Sequence, residues 1–359
     1  MTHHRLTLVA PVLQGSEAAA LEQLGRIFED VHLVPRRTWT PALAGSIEPF
    51  LARRLRWLPG LELSAASALL RRICALGHYD LVHVRQLPMA EFGRSARARS
   101  RLLELVDSET LGAERASPMT ARRRLRARIA AKVEQRALRG FDAVTTVAEA
   151  DAVRVRALDP SSRVEVVPNG VDTGYFRPEP RAGESASLVF VGAMSYPPNV
   201  AAMRYFTSSV LPDLQRWRDD VRLTIVGRDP SAAVLAMSSP TVEVTGPVED
   251  VRPFLASGAA FVAPMVSGSG IKNKVLEAMA MALPVVATSL AVEGLPVRDG
   301  ENALVADDAH GFAAAIRLLL DDPVSARRIG RAGRELVQRD YTWEACAERY
   351  DRLYHELVR

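Results

Sequence analysis

The chain has 359 residues, 48 % of them hydrophobic and 25 % charged, with 46 Lys and Arg against 42 Asp and Glu. That is the balance of a globular protein with room for two domains. Cys74 and Cys346 are the only cysteines, which excludes a disulfide framework, and no apolar run approaches the ~20 residues that span a bilayer.

Short Val/Ile/Leu runs alternate with stretches of helical periodicity, the pattern of an α/β protein with parallel sheets. In the first half the predicted strands are Leu6–Ala10, Val31–Val34, Leu81–Val84, Leu102–Val106, Ala143–Val147 and Val164–Val167. Helices are predicted near Glu17–Phe28, around Pro49–Trp57, over Ser64–Leu76 and Thr120–Leu138, and from Glu149. The opening MTHHRLTLVAPV has an apolar part too short and too poorly flanked for a signal peptide, so the expectation is a cytoplasmic protein. His3, His4 and His32 read as surface or tail residues, and His83 as a core histidine on a short strand.

Basic charge concentrates between Arg94 and Arg139, above all in Arg122, Arg123, Arg124, Arg126, Arg128 and Lys132. A solvated helix face and a face against anionic lipid or a lipid-phosphate acceptor both fit this run. Nucleic acid is not expected, since no aromatic interleaving or DNA-binding motif accompanies the charge. The expectation is therefore a cytoplasmic chain that can sit peripherally on the inner face of a membrane.

Pro168, Asn169, Gly170, Gly174, Pro178 and Pro180 mark a linker. Beyond it come strands at Leu188–Val191, Arg222–Val226, Val242–Thr245, Ala260–Ala263 and Pro284–Thr288, with helices at Asn199–Leu211, Ser231–Met237, Val251–Ser257 and Ala309–Leu320. A last helical segment runs from Tyr341 to Val358.

The stretch Val266–Thr288, VSGSGIKNKVLEAMAMALPVVAT, carries the densest chemistry. Gly268, Ser269 and Gly270 bring backbone N–H groups near an anion, and Lys272 and Lys274 stand at a helix start whose dipole end is positive. Glu277, one turn on, is placed to accept from a hydroxyl pair. A polyphosphate beside a ribose fits this arrangement, whereas Leu276, Met279 and Ala280 read as core. In open parallel sheets, ligands sit outside the carboxyl ends of strands. Three further turns share that edge: the Gly192 turn ending at Asn199, where helix capping and ligand contact are both open, then Gly227-Arg228, then Gly246-Pro247-Val248. A planar base can lie over them against the Arg228 plane. Asp107-Ser108-Glu109 follows a first-half strand, with a site role and helix capping both open. No His/Cys/carboxylate group has metal-ligand spacing.

The segments VVPNGVDTGYFRP, LVFVGAMSYPPNV, LTIVGR and KVLEAMAMALPVVAT, with LVHV, LVDSET and FDAVTTVAEAD before them, resemble retaining glycosyltransferases of family 4. The likeness extends to bacterial sugar transferases of exopolysaccharide clusters. It implies the GT-B fold, two Rossmann-like domains with parallel sheets facing a central cleft. Residues 1–167 would hold the acceptor, with Asp107 and Glu109 on that side. Residues 168–342 would hold the nucleotide-sugar donor, and 343–359 would form a helix packing back toward the first domain. The resemblance puts the donor ribose on Glu277, the diphosphate on the Gly268–Lys274 loop, and the base between Arg228 and Val248, with Gly192 at the donor. It also implies that lysine, arginine and helix dipole, without a metal or other cofactor, stabilise a departing UDP or GDP while the sugar passes to a polysaccharide or lipid-linked acceptor. Two departures stand out. Ser269 occupies the place of the first glutamate of a paired-glutamate motif, and the chain starts at what would be the second strand of the first domain. The second departure keeps open a rival reading, a non-catalytic sugar-nucleotide-binding or scaffold protein of the same fold.

Overall fold

A computed structural model describes residues 4–11, 21, 24–34, 63–115, 120–179 and 186–359. The helix expected around Pro49–Trp57 and half of that near Glu17–Phe28 lie outside these residues. Two compact units divide the chain: Met1–Leu105 with Lys132–Val144 and Glu356–Arg359, and Val106–Ala131 with Thr145–His355.

The larger unit is built on six strands, β7 (Ser187–Val191), β8 (Arg222–Val226), β9 (Val242–Gly246), β10 (Ala260–Ala263), β11 (Val285–Ala287) and β12 (Leu304–Val305), in the order β12-β11-β10-β7-β8-β9. All their ladders are parallel. This is a doubly wound sheet whose order reverses between β7 and β10, where such folds place their ligands. Buried on both faces, β7, β10 and β11 are continuous apolar runs rather than alternating ones. Phe190 and Phe261 stack across neighbouring strands at 6.3 Å between ring centres. The helix Asn273–Ala280 buries Val275, Leu276, Ala278, Met279 and Ala280, so the residues expected to be core are core.

The helix expected at Asn199–Leu211 is longer. It starts at Pro197, widens into a π-helical turn over Phe206–Val210 and continues from Leu211 to Trp217. Pro212, which has no N–H to donate, follows the predicted end at Leu211, and the widened turn carries the helix past it. The eighteen-residue helix Pro323–Asp340 and the short strand β12 were not expected at all. Asp322 caps that helix by accepting from the backbone N–H groups of Val324 and Ser325 at 3.0 Å each. Gly330 and Gly333 disguise its pattern, and both are there for close packing. A β-carbon at 330 would stand 2.2 Å from the Ala282 carbonyl oxygen. From the same helix Arg334 donates to the carbonyls of Ala280, Phe176 and Thr173.

In the smaller unit β1 (Thr7–Pro11) and β2 (Asp30–Val34) form a two-stranded parallel sheet. The strands β3 (Leu81–Arg85), β4 (Ser100–Leu105), β5 (Ala143–Thr146) and β6 (Val164–Val166) form a four-stranded sheet in chain order, of which β3 and β4 lie wholly in this unit. Among the described residues no ladder joins the pair to the four. Val34 and Phe92 centre a small cluster with Val9, Leu69, Leu70 and Met89. His83 is not a core residue: it lies on the open side of β3, with Nε2 3.1 Å from Glu104 of β4. The C-terminal residues of this unit dock on β4, where Ser100 Oγ donates to the Leu357 carbonyl at 2.5 Å. Among the described residues, no helix is long and apolar enough to cross a membrane.

Candidate donor-binding site

The loop from β10 to the helix Asn273–Ala280 is shaped by its own lysine. Lys272 Nζ turns back and donates to the carbonyls of Ser269, at 2.9 Å, and Gly270, at 2.5 Å. Its side chain is buried, so its ammonium holds the loop rather than standing free at the helix start. Burial pulls its pKa down, Arg115 adds to that, and Asp107, Glu293 and Asp151 oppose it. Gly268 and Ser269 are half-buried on this loop, and Gly270 is buried in the left-handed region at φ +69°. A β-carbon at 270 would lie 1.7 Å from Asp107 Oδ1.

The alternatives left open for Asp107-Ser108-Glu109 separate here. Ser108 caps the helix Glu109–Glu114, its Oγ accepting from Leu111 N–H at 3.2 Å. Ser108 N–H donates to Asp151 Oδ1 at 2.8 Å. Asp107 is thereby free of the capping role and lies on Gly270. Its side chain reaches solvent on one side while protein crowds the other. That crowding, with Asp151 and Glu109, pushes its carboxyl up to about 6 against the pull of Lys272. Asp151 is fully buried; its second oxygen has no partner among the described residues, and burial raises its pKa as well. Arg115 closes the cluster through a two-pronged pair with Glu293 at 2.5 and 2.7 Å. Glu109 is exposed, on the first turn of its helix.

Lys274 faces other company. Its Nζ stands 4.3 Å from the centre of the Phe190 ring and donates to Asn199 Oδ1 at 2.5 Å. Burial pushes it down to about 7, with Lys272 adding to the shift and Glu277 opposing it. Asn199 is not the expected N-cap: Tyr196 occupies that position, and the Asn199 amide is buried, its Nδ2 donating to the Ala193 carbonyl at 3.0 Å. Gly192 leaves the room they need, because a β-carbon there would come within 2.6 Å of Asn199 Nδ2 and 2.9 Å of Lys274 Nζ. Burial raises the pKa of Glu277, with Lys274 opposing. The structure thus gathers Lys274, Gly192 and Glu277 in one group and Lys272, Ser269, Gly270 and Asp107 in another. Arg228 stands exposed past the end of β8, beside Asp229, and Val248 is half-buried past β9.

Five participants escaped sequence reading: Arg115, Asp151, Glu293, Asn169 and Asn273. The last two join the linker to the helix start, Asn169 Nδ2 donating to Asn273 Oδ1 at 3.0 Å. Arg115, Asp151, Glu293 and Asn169 come from distant segments with no local spacing to signal them, whereas Asn273 stands between the two lysines of the Gly-rich stretch itself.

Two family models match successive parts of the chain. One, described as Glycosyltransferase Family 4, takes residues 4–175; the other, Glycosyl transferases group 1, takes residues 185–322. The chain is 32 % identical to alpha-maltose-1-phosphate synthase of Mycolicibacterium smegmatis over 63 % of its own length and 66 % of that protein's. It therefore spans just under two thirds of that relative's length. Among solved structures, sucrose-phosphate synthase from Thermosynechococcus elongatus superposes with a TM-score of 0.71 at 20 % identity, over 98 % of this chain and 99 % of that one. Anabaena Alr3699/HepE, solved with UDP-glucose, gives 0.68 at 14 % identity, over 97 % and 91 %. At these identities the structures speak for the fold, which is GT-B with two Rossmann-like α/β domains.

Proposed function

We propose that this chain, which belongs to the family 4 glycosyltransferases, moves a sugar from a nucleotide-sugar donor to a polysaccharide or lipid-linked acceptor with retention of configuration. The observation that carries the reading is the pairing of Lys274 and Glu277, both crowded by protein at the edge of the sheet where its strand order reverses. A half-buried amine with Glu277 one turn behind it suits a diphosphate followed by a ribose. In this reading the Gly268–Lys274 loop meets the diphosphate of UDP or GDP, Glu277 accepts from the ribose hydroxyls, and Arg228 and Val248 flank the base. Backbone N–H groups near Ser269 replace the side chain expected at that position. As the sugar–phosphate bond breaks, negative charge grows on the diphosphate, and Lys274 in its dry setting stabilises it more than it could in water. Asp107 and Glu109 lie toward the acceptor.

Isothermal titration with UDP and GDP tests the donor half. No binding by the wild type, or equal binding by wild type, Glu277→Ala and Lys274→Ala, would sink it. Product analysis with a panel of nucleotide sugars tests turnover and anomeric outcome, and binding without any product would favour the non-catalytic reading.

The acceptor proposal extends to a membrane surface, in keeping with exopolysaccharide assembly on lipid carriers. On the helix Ala121–Leu138, Arg122, Arg124, Arg126 and Arg128 are exposed, and Leu125 among them is 58 % exposed. Basic residues near an anionic surface contribute about 1 kcal/mol each, and an apolar residue between them can enter the interface. Co-sedimentation with anionic vesicles should weaken with salt and with Arg→Glu changes at 124 and 128; indifference to both would remove the membrane from the reading.

A further inference from the structure

We propose that Asn199 is a positioning residue for the donor site: its amide oxygen fixes the Lys274 amine and lets that amine take up a proton as the diphosphate arrives. The proposal rests on the reading of Lys274 as a diphosphate ligand. Its basis is a geometry that only an amide satisfies. Oδ1 accepts from Lys274 Nζ at 2.5 Å while Nδ2 donates to the Ala193 carbonyl at 3.0 Å, so one planar group ties the turn after β7 to the helix after β10. The absence of a β-carbon at Gly192 makes room for both partners.

The surroundings of Nζ explain why a neutral acceptor matters. Phe190 of β7 lies under it, and the 192–199 turn brings Gly192 and Asn199, none of which titrates. The charged groups acting on it are Lys272 and Glu277, from its own helix and the residue before that helix. A carboxylate in place of Asn199 would hold the amine charged to higher pH. The amide instead leaves it near its own neutral point, about 7. A bound diphosphate then draws a proton onto Lys274, and donor affinity falls as pH rises above 7, by at most about tenfold per pH unit.

The test is titration calorimetry of UDP and GDP at pH 6 and pH 8.5, in buffers of different ionisation heat, on wild type, Asn199→Asp and Asn199→Ala. The Lys274 side chain is titrated by NMR in the ligand-free proteins alongside. In Asn199→Asp, which keeps the shape, the Lys274 titration should move up by about one unit or more and the affinity ratio between the two pH values should shrink toward one. In Asn199→Ala it should move down and the ratio should grow, with affinity at pH 6 nearest to wild type. Both variants lose the bond to Ala193, so a merely structural Asn199 would weaken binding alike at both pH values and leave the Lys274 titration unmoved. That result overturns the proposal. Failure of the wild type to bind either nucleotide overturns the diphosphate reading instead, and the NMR titration still decides the link between Asn199 and Lys274.

Discussion

Lys272 and Lys274 are two residues apart at one helix start, the first buried and the second half-buried, and their surroundings differ in kind. Lys272 is held by two loop carbonyls and faces Asp107, Asp151 and Glu293. Lys274 has one neutral oxygen and an aromatic face. A cation already bound to carbonyls and surrounded by carboxylates organises a loop. An amine with a single neutral acceptor keeps hydrogens and charge capacity for a ligand. Adjacent positions of the same residue type therefore divide into a tether and a candidate reaction partner.

The sharpest way to break that division is to remove each amine in turn. Lys274→Ala should lower kcat by about 10²–10³, the range seen when one electrostatic stabiliser of a developing anion is lost. Lys272→Met should affect thermal stability more than Lys274→Met does, because it frees two carbonyls and leaves Asp107 and Asp151 without their nearest ammonium; scanning calorimetry on both variants checks this. If Lys272→Met lost more kcat than Lys274→Ala, the roles would be reversed.

A smaller effect is expected at Gly270. Gly270→Ala meets Asp107 and sits at φ +69°, so a cost of about 1–3 kcal/mol follows. Adding Asp107→Ala should recover the part due to collision and leave the part due to backbone strain, which a double-mutant cycle by denaturant unfolding separates.

The smallest effect concerns the Asp107 carboxyl. Folding raises it from its ordinary value of 3.8 to about 6, so ionisation opposes the folded state. The contribution is fully favourable below about 4 and is lost as pH rises through about 6. Asp107→Asn should then gain melting temperature over wild type at pH 8 and lose that advantage at pH 4. A gain of equal size at both would assign the effect to something other than charge.

The sheet that carries the site was legible because its strands are buried on both faces and write unbroken apolar runs into the chain. The Gly-rich loop and Glu277 stand out as candidates for a similar reason: glycine, lysine and a helix start fall within ten residues. What escaped depends on contacts across long separations. Asn199 looks like an N-cap in its local sequence, and the partner of its amide oxygen, Lys274, lies seventy-five residues on. Lys272 and Lys274 look equivalent until Asp107 and Phe190 are brought to opposite sides of the helix start. Helix Pro323–Asp340 was hidden by two glycines that read as breakers, although Ala282 requires a bare α-carbon at the first of them.

That helix has a mechanical consequence. Arg334 grips the Ala280 carbonyl, the last of the eight-residue helix that begins beside Lys274, so the far end of that helix is pinned while its near end carries the chemistry. At 1.5 Å per residue it is a lever about 12 Å long, and a rocking of ~5° about the pinned end displaces the lysine by about 1 Å. A misplacement of that size can cost about a hundredfold in rate. The aim of the proposed donor site is thus set from behind, at a fulcrum sixty residues downstream in the chain. Substitutions at Gly330 or Arg334 should be felt there as changes in turnover without any contact with substrate.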